Sequence, residues 1–143
     1  MFRRVLVAID GSEHSYAALR RAAEVLKLSS LTQVAVLEVV PAVDPSIEYV
    51  PWATAKQLEE AEKKRAKADL DKALAILQEI GIGGTPVIKV GNAAEEIISA
   101  IKEGNYELLV MGRRGTNPLK ELLLGGVSQR VLQLAECPVF LGK

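Results

Sequence analysis

Short apolar runs rich in β-branched residues alternate with amphipathic or charged segments along the chain. The apolar runs cover residues 5–9, 33–40, 86–90, 108–111 and 138–141. Their hydrophobicity is nearly continuous rather than alternating, which is typical of strands buried on both faces of a parallel sheet. The pattern therefore predicts five buried strands.

The segments between these runs have helical patterns. Residues 15–28 place apolar side chains at intervals of three and four. Asn92 and Glu95 occupy the two ends of a capping-box pattern, which predicts a helix that starts there and stops near Gly104. The last helix is expected from about residue 127 to 135, because a proline follows shortly afterwards.

A long charged segment, from about residue 55 to 79, is predicted to form one helix that stops at Gly81. Its residues near helical spacing are Leu58, Ala61, Arg65, Ala68, Ala75 and Leu77. The preceding stretch carries Tyr49, Trp52 and three prolines. It has two interpretations that stay open, a disordered connection or a lid beside a ligand.

The resulting order, βαβαβαβαβ, predicts an α/β fold in one domain, residues 1–143. Such alternation gives a five-stranded, doubly wound parallel sheet with helices on both faces and right-handed crossovers. Ligands of these sheets bind beyond the carboxyl ends of the strands, where the strand order reverses. The segments that directly follow each strand are therefore the candidates for function.

Composition excludes several classes of protein. The 143 residues include 18 Lys and Arg against 18 Asp and Glu, with 49% hydrophobic residues. Zero net charge gives no positive field for nucleic acid, and no apolar run is long enough for a membrane span. Cys137 is the only cysteine, so an internal disulfide is excluded. Without a signal-peptide pattern at the start, a cytoplasmic location is expected.

The segment after the fourth strand is the most informative. Two glycines bracket two arginines at its start, and a glycine pair directly precedes the last helix. These residues are Gly112, Arg113, Arg114, Gly115, Gly125 and Gly126. Glycines let backbone amides approach an anion, a helix N-terminus attracts it, and arginines bind phosphate oxygens. The pattern favours an anion site, while the alternative that the glycines only turn the chain and cap a helix stays open.

Neither common phosphate fingerprint is present. The P-loop pattern is absent, and so is Gly-x-Gly-x-x-Gly after the first strand. Asp10, which follows that strand, has two interpretations, a contact to a ligand or a turn and helix cap. His14 is the only histidine and is interpreted as a surface residue.

With these residues in view, the chain resembles the universal stress protein family. The spacing Gly112-x2-Gly115-x9-Gly125 is similar to the family's ATP-binding pattern, Gly-x2-Gly-x9-Gly-Ser/Thr. The segments 127–128 and 137–139 continue the resemblance, as do 5–12 and 37–40 near the first two strands. The likeness covers essentially the whole chain.

The resemblance implies a Rossmann-like fold of the adenine nucleotide alpha hydrolase kind, with strand order 3-2-1-4-5. It implies ATP as ligand, with ADP or AMP as alternatives, and Mg2+ bound through the phosphates. It also implies a homodimer joined along the edge strand 138–143. The site residues carried over are Ala8, Ile9, Asp10, Val39, Met111, Gly112, Arg113, Arg114, Gly115, Gly125, Gly126, Val127 and Ser128.

Within that set, the adenine would lie near Ala8, Ile9 and Val39, and the ribose near Asp10. The phosphates would lie among the glycines and arginines, with the β- and γ-phosphates at the start of the last helix. One departure from the family pattern is Gly126, which stands where the family has Ser or Thr. A hydroxyl bond to phosphate is missing there, although Ser128 could supply another hydroxyl.

Three functions fit these observations. The first is a nucleotide-binding regulator of the stress-response kind, without catalytic residues and with protein partners unknown. The second is a slow ATPase, for which no paired carboxylates and no histidine are evident near the glycine-rich segment. The third, which Gly126 leaves open, is a dimeric interaction module that binds no nucleotide.

Overall fold

The computed structural model describes residues 2–113 and 125–142. Five strands and five helices lie within these ranges. In chain order they are β1 (Arg4–Ile9), α1 (Glu13–Val25), β2 (Gln33–Val40), α2 (Pro45–Glu48), α3 (Trp52–Ile80), β3 (Gly84–Val90), α4 (Ala93–Gly104), β4 (Leu108–Gly112), α5 (Gly126–Leu134) and β5 (Val139–Gly142). The predicted α/β class is confirmed.

The sheet has the order β3-β2-β1-β4-β5, and the adjacent strands run parallel. The predicted order is therefore confirmed. β1 lies at the centre, where the winding changes direction: β2 and β3 extend to one side of it, β4 and β5 to the other.

Two hydrophobic cores cover the two faces of the sheet. Val5, Val7 and Ile9 of β1 belong to the core formed with α1 and α3. Leu6 and Ala8, the alternate residues, belong to the core formed with α4 and α5. Because successive side chains of a strand point to opposite faces, both sets must be apolar, which explains the continuous hydrophobic runs.

Local signals at the helix ends agree with the sequence. The Asn92 side chain accepts a hydrogen bond from the Glu95 amide at 3.1 Å and caps α4. Ser12 caps α1 in the same way through the Ser15 amide, at 3.3 Å. Gly81 ends α3 with a φ of 88°, a left-handed conformation that glycine adopts without steric cost.

Of the α3 residues singled out for their helical spacing, Leu77 is buried and the others are exposed. The buried residues of this helix are Ala55, Ala66, Leu70, Ala73, Ile76 and Leu77. Leu58 is 46% exposed instead. The helix is rich in alanine on more than one side and in charge throughout, so periodicity alone did not fix which alanines pack against the sheet.

The stretch before α3 contains the short helix α2, which the sequence patterns did not predict. Asp44 caps it through the Ser46 amide at 2.9 Å. Tyr49 and Trp52 lie at 93% and 69% exposure, outside both cores. Among the described residues, no helix combines the length and the apolar character needed to cross a membrane.

Replacement of Gly142 by alanine is expected to destabilise the fold. A Cβ at this position would lie 2.6 Å from Ala18 Cα, so β5 and α1 would have to move apart. The expected loss is about 1–3 kcal/mol of unfolding free energy, typical of overpacking. Gly83→Ala is the matched control, because a Cβ there meets nothing within 4 Å. Equal urea midpoints for the two variants would contradict this account.

Candidate functional site

The carboxyl ends of β1, β2 and β4 lie side by side at one edge of the sheet. The register pairs Ile9 of β1 with Glu38 of β2, and β1 also runs in step with β4 on its other side. Continued one residue beyond the paired positions on the β2 side and three on the β4 side, this register places Asp10 between Val39 and Arg113. Three of the predicted site residues are therefore neighbours.

Helix α5 begins directly behind this edge and is attached to the end of β4. The Gly125 amide donates to the Arg113 carbonyl at 2.8 Å. The Ser128 hydroxyl, in a side chain that is 3% exposed, donates to the Gly112 carbonyl at 3.0 Å. These two bonds hold the first turn of α5 against the strand end. The Ser128 hydroxyl thus has an intramolecular partner.

The first turn of α5 offers backbone donors. Gly125 is its N-cap, and within the described part of the chain no side chain caps it. The Gln129 amide donates to the Gly125 carbonyl. The amides of Gly126, Val127 and Ser128 therefore have no acceptor inside the helix. Together with the helix dipole, three such amides favour an anion at this position.

Arg113 adds a charged donor at the same edge. Its Nε is buried and has no hydrogen-bond partner among the described residues. A buried guanidinium nitrogen without a partner is uncommon, since most buried donors in folded proteins are satisfied. Beside the uncapped start of α5, this nitrogen suits a phosphate or carboxylate oxygen.

Two of the predicted glycines have different surroundings. A Cβ on Gly112 would lie 3.2–3.3 Å from backbone atoms of His14 and Ser15, so the close packing of β4 against α1 explains this glycine. A Cβ on Gly126 would meet nothing within 4 Å. The sequence pattern indicated a close ligand approach at both positions. Of the two, Gly112 has a steric reason to be glycine in the folded protein, and Gly126 does not.

Asp10 forms a turn with the residues that follow it. Its Oδ1 accepts a hydrogen bond from the Ser12 amide at 2.9 Å. Gly11, between them, has a φ of 82°, which favours glycine. The turn interpretation of Asp10 is therefore confirmed, whereas the cap of α1 is Ser12 and not Asp10.

The apolar residues predicted for the adenine side are largely covered. Ala8, Ile9 and Met111 are only 5–6% exposed, as members of the two sheet cores, and Val39 is half-buried. Arg114 and Gly115, the remaining residues of the predicted set, lie outside the described residues.

A charged cluster beside this edge was missed by the sequence reasoning. Glu38 of β2 is 1% exposed and lies 3.5 Å from the Arg65 guanidinium, measured between Oε2 and Nη1. The same Nη1 binds Asp69 Oδ2 at 2.8 Å. The available signal was Glu38 itself, the only charged residue in the apolar run 33–40.

Burial and charge shift two pKa values in this cluster. Burial, followed by the charge of Asp69, raises the pKa of Tyr16 to about 12. The Tyr16 hydroxyl donates to the Asp69 carbonyl at 3.0 Å. Burial, followed by the neighbouring Asp69 carboxyl, raises the pKa of Glu38 to about 8, while the positive charge of Arg65 opposes the shift. Within residues 2–113 and 125–142, no group of three or more His, Cys, Asp or Glu side chains is arranged to hold a metal ion.

Two structures of this fold, at low sequence identity, hold an adenine nucleotide. A universal stress protein from Archaeoglobus fulgidus was solved in complex with dAMP; it is 22% identical, with a TM-score of 0.71 and coverage of 100% of this chain and 98% of that one. A family protein from Arabidopsis thaliana was solved with AMP bound; it is 22% identical, with a TM-score of 0.70 and coverage of 99% and 91%.

More similar proteins establish the family. The solved structure of MJ0577 from Methanocaldococcus jannaschii is 26% identical, with a TM-score of 0.85 and coverage of 100% of this chain and 96% of that one. Universal stress protein YxiE of Bacillus subtilis is 36% identical over 146 residues, which is 99% of each chain. The universal stress protein family itself matches residues 1–143. The chain therefore belongs to the universal stress protein family.

Proposed function

We propose that residues 1–143 act as one ATP-binding domain, a homodimeric stress-response regulator of the cytoplasm. It acts through nucleotide binding rather than through rapid catalysis. The observation that carries this proposal is the start of α5. Among the described residues, no side chain caps this helix, three backbone amides have no intrahelical acceptor, and the buried Nε of Arg113 at the adjoining strand end has no partner. Such a set of donors suits a polyanion.

The ligand class follows from the family and the fold. Two proteins of this fold were solved with dAMP and AMP. The glycine spacing from Gly112 to Gly125 resembles the family's ATP pattern. ATP is the ligand to test first, with ADP and AMP as alternatives. Mg2+ would enter with the nucleotide, held by phosphate oxygens and water, as is usual for this ion.

The groups at the sheet edge favour binding over turnover. Phosphoryl transfer needs a group that orients the attacking water in line with the phosphate. Asp10 is the carboxylate that directly follows β1, and its Oδ1 already accepts the Ser12 amide. Arg113 and the α5 amides can bind a negatively charged phosphate, but they do not orient an attacking water. A role through bound nucleotide is therefore proposed.

The first test is whether the protein carries or binds nucleotide at all. Freshly purified protein, once denatured, is expected to release adenine nucleotide, measured by chromatography. Stripped protein is expected to bind ATP saturably in the presence of Mg2+, measured by calorimetry. No release together with no binding would refute the nucleotide proposal and favour an interaction module without nucleotide.

Replacement of Gly126 by serine is expected to tighten ATP binding. The open space around a Cβ at this position accommodates the side chain, and the hydroxyl can donate to a phosphate oxygen. A hydrogen bond of about 0.5–1.5 kcal/mol corresponds to roughly two- to tenfold higher affinity.

Gly126→Ala is the matched control for that experiment, since it adds the Cβ and the helix propensity without the hydroxyl. Calorimetry on all three proteins separates these effects. Equal affinities for the alanine and serine variants would show that phosphate does not lie within reach of residue 126.

The proposed homodimer uses the free edge of β5. Among the described strands it pairs with β4 alone, and so it leaves one row of backbone groups for another chain. The carbonyls of Pro138 and Gly142 accept bonds from β4. By alternation, the amide of Leu141 points to the free edge. Two copies paired along 138–143 would satisfy these groups.

Replacement of Leu141 by proline is expected to weaken this dimer, because proline has no amide hydrogen to donate. Light scattering of the natural protein should give about twice 15.4 kDa, and a lower mass for Leu141→Pro. Leu141→Ala keeps the amide and is expected to stay dimeric. A natural protein that shows only the 15.4 kDa species would rule out the dimer.

A further inference from the structure

One acidic side chain is buried in the core on the α1 and α3 side of the sheet. Glu38 lies on the same face of β2 as Val34 and Val36, which belong to that core. It is 1% exposed, and neither carboxyl oxygen has a hydrogen-bond partner among the described residues. A buried carboxylate without donors is costly, so such a group tends to keep a proton.

The charged and titratable groups around Glu38 come from each element packed against it. Helix α3 contributes Arg65 and Asp69, and the turn after β1 contributes Asp10. Helix α1 contributes Tyr16 and, further out, Glu13. On β3, the residue paired with Glu38 is the apolar Ile88. Lys72 of α3 lies 4.5 Å above the Tyr16 ring and binds Glu13 rather than Glu38.

The nearby positive charge of Arg65 does not satisfy Glu38. Its Nη1 binds Asp69 Oδ2 at 2.8 Å, but stands 3.5 Å from Glu38 Oε2, too far for a good hydrogen bond. Nη2 of the same guanidinium binds Glu62 at 2.8 Å. The Arg65 guanidinium thus lies near three carboxyl groups but hydrogen-bonds only to Asp69 and Glu62 among them. A proton on Glu38 would supply the missing donor, because its O–H could then bond to the Asp69 carboxylate.

Asp69 of this pair lies directly against the turn that follows β1. A Cβ on Gly11 would stand 2.7 Å from Asp69 Oδ2, so the turn rests on that carboxyl group. The same turn holds Asp10 at the carboxyl edge of the sheet. A change of charge on the pair therefore changes the electrostatic potential at the edge where the α5 amides and Arg113 lie.

We propose that Glu38 keeps a proton in the folded protein at neutral pH and donates it in a hydrogen bond to Asp69, and that this proton controls the nucleotide site. Its loss in mildly alkaline solution places a second negative charge beneath the Gly11 turn. The extra charge destabilises the fold and weakens binding of a polyphosphate at the adjacent edge. The effect on binding rests on the proposed nucleotide function, whereas the effect on stability does not.

The direction of the pH dependence follows from the shift. The pKa of Glu38 is raised from an ordinary 4.5 to about 8, by burial first and by Asp69 next. Between these values the folded protein keeps a proton that the unfolded chain releases. The contribution of this pair to stability is therefore full below the lower value and is lost as pH rises toward the upper one.

The stability test compares melting temperatures of the natural protein, Glu38→Gln and Glu62→Gln from about pH 5 to 9 by circular dichroism. Glutamine mimics the protonated carboxyl, so Glu38→Gln is expected to remove the loss, which should reach several degrees in the natural protein. Glu62→Gln, which changes the outer carboxylate on Arg65, should keep it. If melting temperature depends on pH in the same way for the natural protein and Glu38→Gln, the proposal of a proton between Glu38 and Asp69 is overturned.

A second measurement keeps the test decisive if Glu38→Gln does not fold. Carbon-detected NMR of the natural protein follows each glutamate carboxyl through the pH series. One carboxyl resonance is expected to titrate several pH units above the others. If all glutamate resonances titrate in the ordinary acidic range, the proposal is refuted.

The binding test measures ATP affinity by calorimetry near pH 6.5 and 8.5, in two buffers that differ in ionisation enthalpy. At the higher pH the natural protein is expected to bind ATP about three- to fivefold more weakly than Glu38→Gln does, because one added negative charge repels the polyphosphate. Protonation of ATP itself is common to both proteins and cancels. Identical pH profiles would refute the coupling. Absence of binding at every pH would refute the proposed function. The melting series would still test whether Glu38 keeps its proton in the folded protein.

Discussion

Burial of both faces of the sheet is the constraint on which the rest of this structure depends. β1 from Val5 onward and β4 throughout are apolar and nearly inaccessible to water, so helices must cover both sides. Right-handed crossovers allow this only if the winding reverses at a central strand. Here β1 continues into α1 on one face, while β4 leads to α5 on the other. The chain thus leaves two adjacent strands toward opposite faces of the sheet, and in folds of this kind the ligand crevice lies at that point.

The details of that crevice come from a few polar contacts rather than from the cores. The bonds from Gly125 to Arg113 and from Ser128 to Gly112 fix where α5 begins. They leave the following amides of the first turn without acceptors in the helix. A folded protein rarely keeps buried or clustered donors unsatisfied, and a bound anion would offset that cost. The site thus follows from how the helix is attached.

The architecture was readable from the sequence because each strand is a continuous apolar run bounded by helix signals. Asn92 is an example, since the residue predicted to begin α4 makes the capping bond. The strand order came from the family resemblance, because no local pattern specifies which strands are neighbours. The buried face of α3 was not readable from the sequence, since alanines such as Ala61 and Ala66 look alike in sequence while only the second is buried.

The site was only partly readable. Gly112 and Gly125 were recognised by their spacing, but the packing of Gly112 against α1 depends on the tertiary fold. Asp10 was assigned two roles, and the turn with Ser12 is evident only from the structure. The cluster of Glu38, Arg65 and Asp69 could not be assembled in advance, because its members lie on different elements that come together only when α3 packs on β2.

The length of α3 has a consequence for access to the crevice. Its 29 residues span about 43 Å at the usual helical rise, whereas the eight residues of β2 span only about 26 Å. The helix starts beyond the carboxyl edge, and between Ala55 and Ala66 it buries no residue. The first half of α3 therefore extends past the carboxyl edge of the sheet and presents charged side chains on one side of it. A molecule that arrives from that direction meets lysine and glutamate side chains before it reaches the strands.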